Sequence, residues 1–365
     1  MTLNDREVRA LRMRALLLTP PEGERTVARI AEWFGAMQAQ DVHSALWSLG
    51  SRMPGATLAE VSAALERKEA LRTWPMRGTV HLVPARDAAW MVAILGARPL
   101  AQGERRRAML GLDEADANRA VAALASALEG GNRLTRAECV EAIRAAGFET
   151  AGQLGYHLLW YASQLGVTAI APHVGTEQTF VLLDEWVPDP VRPERDEALG
   201  IIAERYFRSH GPAPLKDFVR WTGLTVSDAQ RGVHTAGDAL VPVETVGGPM
   251  LAAADALDAP DTVTVPPWLA PAGFDEYMLG YGQRDLLLRP EHARAVVPGN
   301  NGMFRATLVR DGEVVGVWTR TKRAKTCRVD VTDLAGLTAA DRMAAEAAFA
   351  PYGAFLGLPV EVRFS

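Results

Sequence analysis

Two glutamines one residue apart, Gln38 and Gln40 in the stretch GAMQAQDVHSALW (35–47), have types and a spacing that raise a chemical question. A glutamine side chain carries a carbonyl that accepts hydrogen bonds and an NH2 that donates them, with no net charge. Apolar helical patterns stand on both sides of the pair. In a helix, residues i and i+2 point about 200° apart and cannot share a site; in extended chain they face the same side. If the two amides act together, Gln38-Ala39-Gln40 must leave the helix. Asp41 follows at once and is expected to cap the next helix.

Other familiar chemistries find no footing. There is no Walker loop, no H-E-x-x-H and no G-x-S-x-G elbow, and GYGQRD holds only half of a dinucleotide fingerprint. The histidines do not recur at metal-ligand spacing, and Cys139 and Cys327 lie too far apart to suggest a zinc pattern or a disulfide framework. No metal and no cofactor are expected. The 365 residues, 48% hydrophobic and 23% charged, are those of a soluble globular protein of two to four packed units. No apolar run is long enough to span a membrane, and MTLNDREVRALRMRA has no apolar signal core, so a cytoplasmic location is expected. A net charge of −5 argues against indiscriminate coating of DNA and leaves room for a local basic face. Lysine occurs only at 68, 216, 322 and 325; arginine, a bidentate phosphate donor, carries the remaining positive charge.

The elements that must position the glutamines follow a recurring order. Residues 4–17, a segment opened by Thr26, His43 to about Arg52 and a segment opened by the capping box Thr57-Leu-Ala-Glu60 read as helices. Strands at 71–74 and 78–83 follow. The order returns with helices over 115–130, after Thr135 and over 152–165, then strands at 167–171 and 178–183. A third round runs from about 193 to 254. Helices followed by a β-hairpin are the order of a winged-helix domain. The expected fold is therefore α+β and mostly helical. It comprises three tandem winged-helix domains (1–110, 111–190, 191–258) and a C-terminal antiparallel β-barrel-like element (259–365). In the last, strands at 305–310 and 314–319 flank a hairpin turn at Asp311-Gly312-Glu313. Arg323–Val331 is expected as a third strand, and VEVRF closes the chain.

The densest basic segment is WTRTKRAKTCR (318–328), with Arg320, Lys322, Arg323, Lys325 and Arg328. As a hairpin it would present cations suited to a phosphate backbone. Arg105-Arg106-Arg107 reads as a linker cluster. Arg77, at a turn, could meet a phosphate; His81, on the TVHLV strand, stands as a site or DNA-contact candidate; Trp74 reads as core. Asp275 and Glu276 in GFDEY read as local hydrogen-bonding groups of a turn. Residue pattern alone leaves three classes open: an enzyme acting on DNA, a non-catalytic winged-helix transcriptional regulator, and a protein-interaction scaffold.

Four separated segments in order, MQAQDVHSALWSLGSR, RTWPMRGTVHLVPARD, GFDEYMLGYGQRD and NGMFRATLVRDGEVVGVWTR, resemble the AlkZ/YcaQ family of bacterial DNA glycosylases. The resemblance implies winged helices and a barrel-like element around a DNA channel. It also implies removal of N7-alkylated purines from double-stranded DNA, with cross-link unhooking or antibiotic self-resistance in some members. The family signature, Gln-apolar-Gln or Gln-apolar-Asp, falls on Gln38-Ala39-Gln40, the double-glutamine, azinomycin-resistance-like form; GYGQRD departs from the family's GYKDR-like form. On this reading Gln38 and Gln40 are catalytic, and Arg77, His81, Arg320, Lys322, Arg323 and Lys325 contact DNA. A cationic N7-alkylguanine leaves as a neutral base, so orienting a water suffices and no strong acid is required. None of the four lysines has a reason to be activated for Schiff-base chemistry, so the expected enzyme is a monofunctional, monomeric glycosylase without lyase activity.

Overall fold

The computed structural model describes residues 2–20, 23–257, 263–300 and 302–365; the domain boundary drawn at 258/259 lies outside them. Among the described residues the fold is mixed, with helices and three sheets. Its chain divides into two compact units. One gathers Met1–Val61, Leu199–Trp221 and Thr225–Ser365; the other holds Ser62–Ala198 and Thr222–Leu224. The order of helices followed by a hairpin recurs three times along the chain, ending in the hairpins Ala70–Met76/Thr79–Pro84, Thr168–Val174/Glu177–Leu182 and Leu240–Thr245/Gly248–Ala253. Local chemistry sets the starts. Thr57 with Glu60, Thr135 with Glu138 and Thr338 with Asp341 form reciprocal capping pairs, and Thr225 accepts from the Asp228 amide.

In the first unit, helix Asp5–Ala15 buries Val8 and Leu11 in a cluster with Leu3, Val243 and Ala252. Helix Val27–Phe34 buries Val27, Ile30, Ala31 and Phe34, one i, i+3, i+4, i+7 stripe. Trp47 of helix Val42–Gly50 meets Tyr352 (4.9 Å) and Phe355 (5.3 Å), while Trp318 meets Phe349 and Tyr352. These rings fasten the helix that follows the glutamines to the C-terminal sheet. A Cβ at Gly50 would meet the Phe355 ring at 2.5 Å, so the contact requires glycine.

That sheet is a curled, five-stranded half-barrel. Its strand order is Trp268–Leu269, Ala306–Arg310, Glu313–Lys322, Cys327–Asp333, Val360–Phe364. Asp311 and Gly312 both take positive φ (51° and 79°), the conformation of a two-residue hairpin turn matched to strand twist. Two expectations need correction here. The sheet is not wholly antiparallel: Val360–Phe364 runs parallel to Cys327–Asp333, because the chain returns through helices Ala339–Ala347 and Ala350–Leu356. The third strand begins at Cys327, not Arg323; residues 323–326 form the turn, closed by the Arg323 amide donating to the Thr326 carbonyl. Inward apolar alternation resumes only at Cys327, Val329 and Val331, all fully buried.

In the second unit the first two hairpins join through Arg72 opposite Ile170, and helices cover them. Arg105-Arg106-Arg107 is not a linker but part of helix Ala97–Met109, a run rich in strong helix formers. Arg107 is buried, 3.2 Å from Glu114 and over the Tyr161 ring. Among the described residues no helix is long and apolar enough to cross a membrane.

Candidate active site

Helix Val27–Phe34 stops at Gly35, whose φ is +72°. That positive φ favours glycine, and a Cβ there would press on Ile202 and Arg205 at 3.2 Å. Met37–Gln38 is extended, Gln40 sits in a bend, and Asp41 caps helix Val42–Gly50 by accepting from the Ser44 amide at 2.7 Å. The glutamine pair thus lies off the helix, as its spacing demands for joint action. Gln38 is half-buried, Ala39 is 1% exposed and Gln40 is exposed, the alternation of a segment that turns its middle residue to the core. Gln38 Oε1 is buried and has no hydrogen-bond partner. Buried polar atoms in folded proteins are nearly always paired, so such an acceptor marks a place where a polar guest fits.

Behind this strand lies a buried charge centre. Glu276 is 1% exposed. Its Oε1 accepts from the Gln38 backbone N–H at 3.1 Å, and its Oε2 faces His210 Nε2 (3.1 Å) and accepts from Trp221 Nε1 (2.9 Å). Burial alone would raise this carboxyl; the hydrogen bond and charge of His210, with the bonds from Trp221 and Gln38, outweigh it and hold Glu276 below its usual value. His210 is fixed in turn, its Nδ1 2.8 Å from Ser209 Oγ and its ring stacked on Tyr206 at 4.7 Å. Even a Cβ at Gly280 would meet this imidazole at 2.2 Å. Next in sequence, Asp275 takes a fork of two bonds from Arg52 (2.8 and 2.9 Å), one from Ser48 Oγ (2.8 Å) and one from the Tyr277 amide (2.9 Å). Burial would raise Asp275 as well; the Arg52 charge and these bonds bring it below the usual carboxylate range.

Asp275 and Glu276 are therefore not ordinary turn groups. They tie helix Val42–Gly50 and the glutamine strand to the helix Arg195–His210, and sequence reasoning missed them together with Arg52, Ser48, His210 and Trp221. The one available signal was two adjacent acids amid Phe, Tyr and Met, a setting where a carboxylate survives only if paired. Glu276→Gln presents an NH2 to one of its three donors. The expected cost is about 1–3 kcal/mol, read as a lowered urea midpoint with unchanged slope; an unchanged midpoint would show that the carboxylate holds nothing.

The basic hairpin reaches this neighbourhood by its root. Arg320 lies 3.7 Å from Asp41 and donates to Tyr352 Oη at 3.3 Å. Burial, then Arg320, with Lys322 adding to it, lowers the His43 imidazole against the pull of Asp41. Arg320 is half-buried, while Lys322, Arg323 and Lys325 are exposed at and near the hairpin tip. The structure so brings Gln40, Asp41, His43 and Arg320 into one region. In the other unit, Arg77 occupies the turn between Ala70–Met76 and Thr79–Pro84 with φ 55°. His81 is fully buried; its Nδ1 lies 2.8 Å from the Thr79 carbonyl and its Nε2 3.2 Å from Arg77 Nη2. These two candidates are therefore neighbours, and His81 faces Arg77 rather than solvent. Trp74 is 2% exposed, as a core residue is.

The family model for DNA glycosylase AlkZ-like proteins matches residues 31–355. An interstrand DNA cross-link repair glycosylase from Streptomyces sahachiroi is 28% identical over 329 residues, 86% of this chain and 87% of that protein. The solved structure of Streptomyces sahachiroi DNA glycosylase AlkZ is similar with a TM-score of 0.82 over 100% of both chains, at 24% identity, a likeness of fold. The family match covers the glutamine strand, the buried carboxylates and the basic hairpin, and by it the chain belongs to the AlkZ-like DNA glycosylase family.

Proposed function

We propose that this glycosylase hydrolyses the N-glycosidic bond of N7-alkylated purines in double-stranded DNA, with Gln38 and Gln40 orienting the attacking water. The observation that carries the reading is the buried, unpartnered Gln38 Oε1 on a non-helical strand whose own N–H is held by Glu276. An alkylated N7 makes the base a cation that departs neutral, so the barrier is lowered without a general acid. What remains is to place a water and to tolerate positive charge growing on the sugar. An amide oxygen can accept from that water and an amide NH2 can donate to it, with dipoles fixed in advance. The Glu276 carboxylate, one backbone amide behind Gln38, keeps that strand in place. Release of N7-methylguanine from methylated duplex DNA by the purified protein tests the reading; DNA binding without release would sink it.

Interstrand cross-links join the proposed substrates because the Streptomyces sahachiroi relative is named for their repair. Cleavage stops at an abasic site. All four lysines are exposed; Lys68 lies over the Trp186 ring and Lys216 donates to Gln283, so none is desolvated for Schiff-base attack. The three helix-and-hairpin rounds serve as winged-helix modules (1–110, 111–190, 191–258), with 259–365 as the barrel-like element, in a monomer acting on nucleoid DNA. A non-catalytic regulator finds no support in a family match to glycosylases.

In this scheme Arg320, Lys322, Arg323 and Lys325 meet phosphates, as does Arg77, which His81 positions. Changing Lys322, Arg323 and Lys325 together to Ala is expected to flatten the slope of log K against log salt by about 2–3, near 0.9 per lost phosphate contact. A slope equal to wild type would remove the hairpin from the DNA interface.

A further inference from the structure

The unit Ser62–Ala198 contains a cavity of about 330 Å³ that shares no residue with the glutamine site. It is bordered by the turn at Arg77-Gly78, by helix Ala97–Met109 and by the start of helix Leu154–Gln164. Its size lies at the lower end of small-ligand sites, about 300–1,000 Å³. The residues that give it character are Arg77, Arg106, Gln153, Tyr156, His157 and Trp160.

Four observations point to one class of ligand. The lining holds two guanidinium groups and no carboxylate, which favours an anion. Tyr156 is 43% exposed and Trp160 half-buried, so two π-systems border the opening. His157 is 6% exposed, yet its Nε2 has no hydrogen-bond partner. Burial, then the Arg107 and Arg106 charges, lowers this imidazole and favours its neutral form, which presents an edge able to pair with a heterocycle. Finally, the indole is fixed as a cavity wall: a Cβ at position 103 would meet Trp160 at 2.4 Å, and only Gly103 lets the indole lie against that helix. The indole in turn sits 5.4 Å from the His157 ring at 30°. Gln153, already bonded to Arg106, adds an amide at the rim.

We infer that this cavity takes one nucleotide of DNA turned out of its stack, its base against Tyr156 and Trp160, its edge at His157 and its phosphate at Arg106 and Arg77. A simple phosphate would leave the aromatic wall unused, and an apolar ligand would leave the buried His157 Nε2 without a partner and set no anion against the two guanidinium groups. The inference rests on DNA as the ligand, which family membership supplies, and not on the glutamine chemistry.

The test measures full-length protein by fluorescence anisotropy on two duplexes that differ by a single bulged nucleotide. Wild type should bind the bulged duplex about fivefold or more tightly, the size of one base stacked on an aromatic side chain. Tyr156 and Arg106 are exposed, so Tyr156→Ser and Arg106→Ser should leave the fold intact. Each should reduce the preference below about twofold, while Tyr156→Phe retains it. Equal binding of the two duplexes by wild type, or a preference that survives both serine variants, overturns the proposal. Q38A/Q40A should lose base release and keep the bulge preference, so the two sites fail or stand separately.

Discussion

Replacing Gln38 and Gln40 together by Ala is expected to lower N7-methylguanine release by at least about 100-fold, with DNA affinity within about threefold of wild type. Loss of one preorganised polar group that acts on a transition state costs about 10²–10³ in rate. In the proposed mechanism the two residues do the positioning that a stronger acid or base does elsewhere, so little residual catalysis is expected. Affinity should survive because neither side chain is a cation, and phosphate neutralisation supplies most of the binding. The fold should survive too: Gln40 is exposed, Gln38 Oε1 makes no bond to lose, and the strand is held through its backbone N–H by Glu276. Single-turnover kinetics on methylated duplex, beside a salt-matched binding curve, checks both halves. Turnover at the wild-type rate would remove the two-glutamine mechanism.

The second large effect is on stability. Arg52 and Asp275 form a two-bond ion pair with side chains 0% and 1% exposed. Arg52→Met leaves a buried carboxylate without its counter-charge, and breaking such a pair from one side costs about 3–5 kcal/mol. Arg52→Met with Asp275→Leu should be less destabilised than Arg52→Met alone, because it removes the stranded charge. The pH dependence gives an independent sign. In wild type Asp275 is held below its unfolded value of about 3.9, so the folded state binds fewer protons. Its contribution is complete above that value and is lost as pH falls through the lower, folded one. In Arg52→Met, burial is no longer opposed by the guanidinium, the carboxyl rises, and the variant should regain stability on acidification from pH 7 towards 5. Urea midpoints at pH 5 and 7 decide this; an Arg52→Met protein that weakens in parallel with wild type would show that the pair is not coupled.

Much of the architecture was legible because its causes are local. Thr57, Thr135, Thr225 and Thr338 announce helix starts through bonds to residues three positions away, and Asp311-Gly312 announces its hairpin by backbone conformation. The demand that Gln38-Ala39-Gln40 leave the helix also came from geometry within three residues, and the chain meets it by stopping at Gly35 and restarting at Asp41. Where inward alternation lapses, as over 323–326, the sequence does not mark the strand limit, and the charged run at 105–107 reads as a linker because the partners of Arg107, Glu114 and Tyr161, lie beyond the local pattern.

The sequence by itself thus determined the helix and hairpin order, the non-helical glutamine pair and the basic hairpin. Only the tertiary structure decided what stands behind that pair. Glu276 bonds residues 38, 210 and 221, and Asp275 bonds residues 48 and 52. The physical reason is that a carboxylate's fate depends on which donors surround it after folding. A Glu in GFDEY reads the same whether it ends in solvent or in a dry site with three N–H groups converging on it. Spacing along the chain records geometry over a few residues; the desolvation that turns Asp275 and Glu276 into the keystone of the site exists only once distant segments have met.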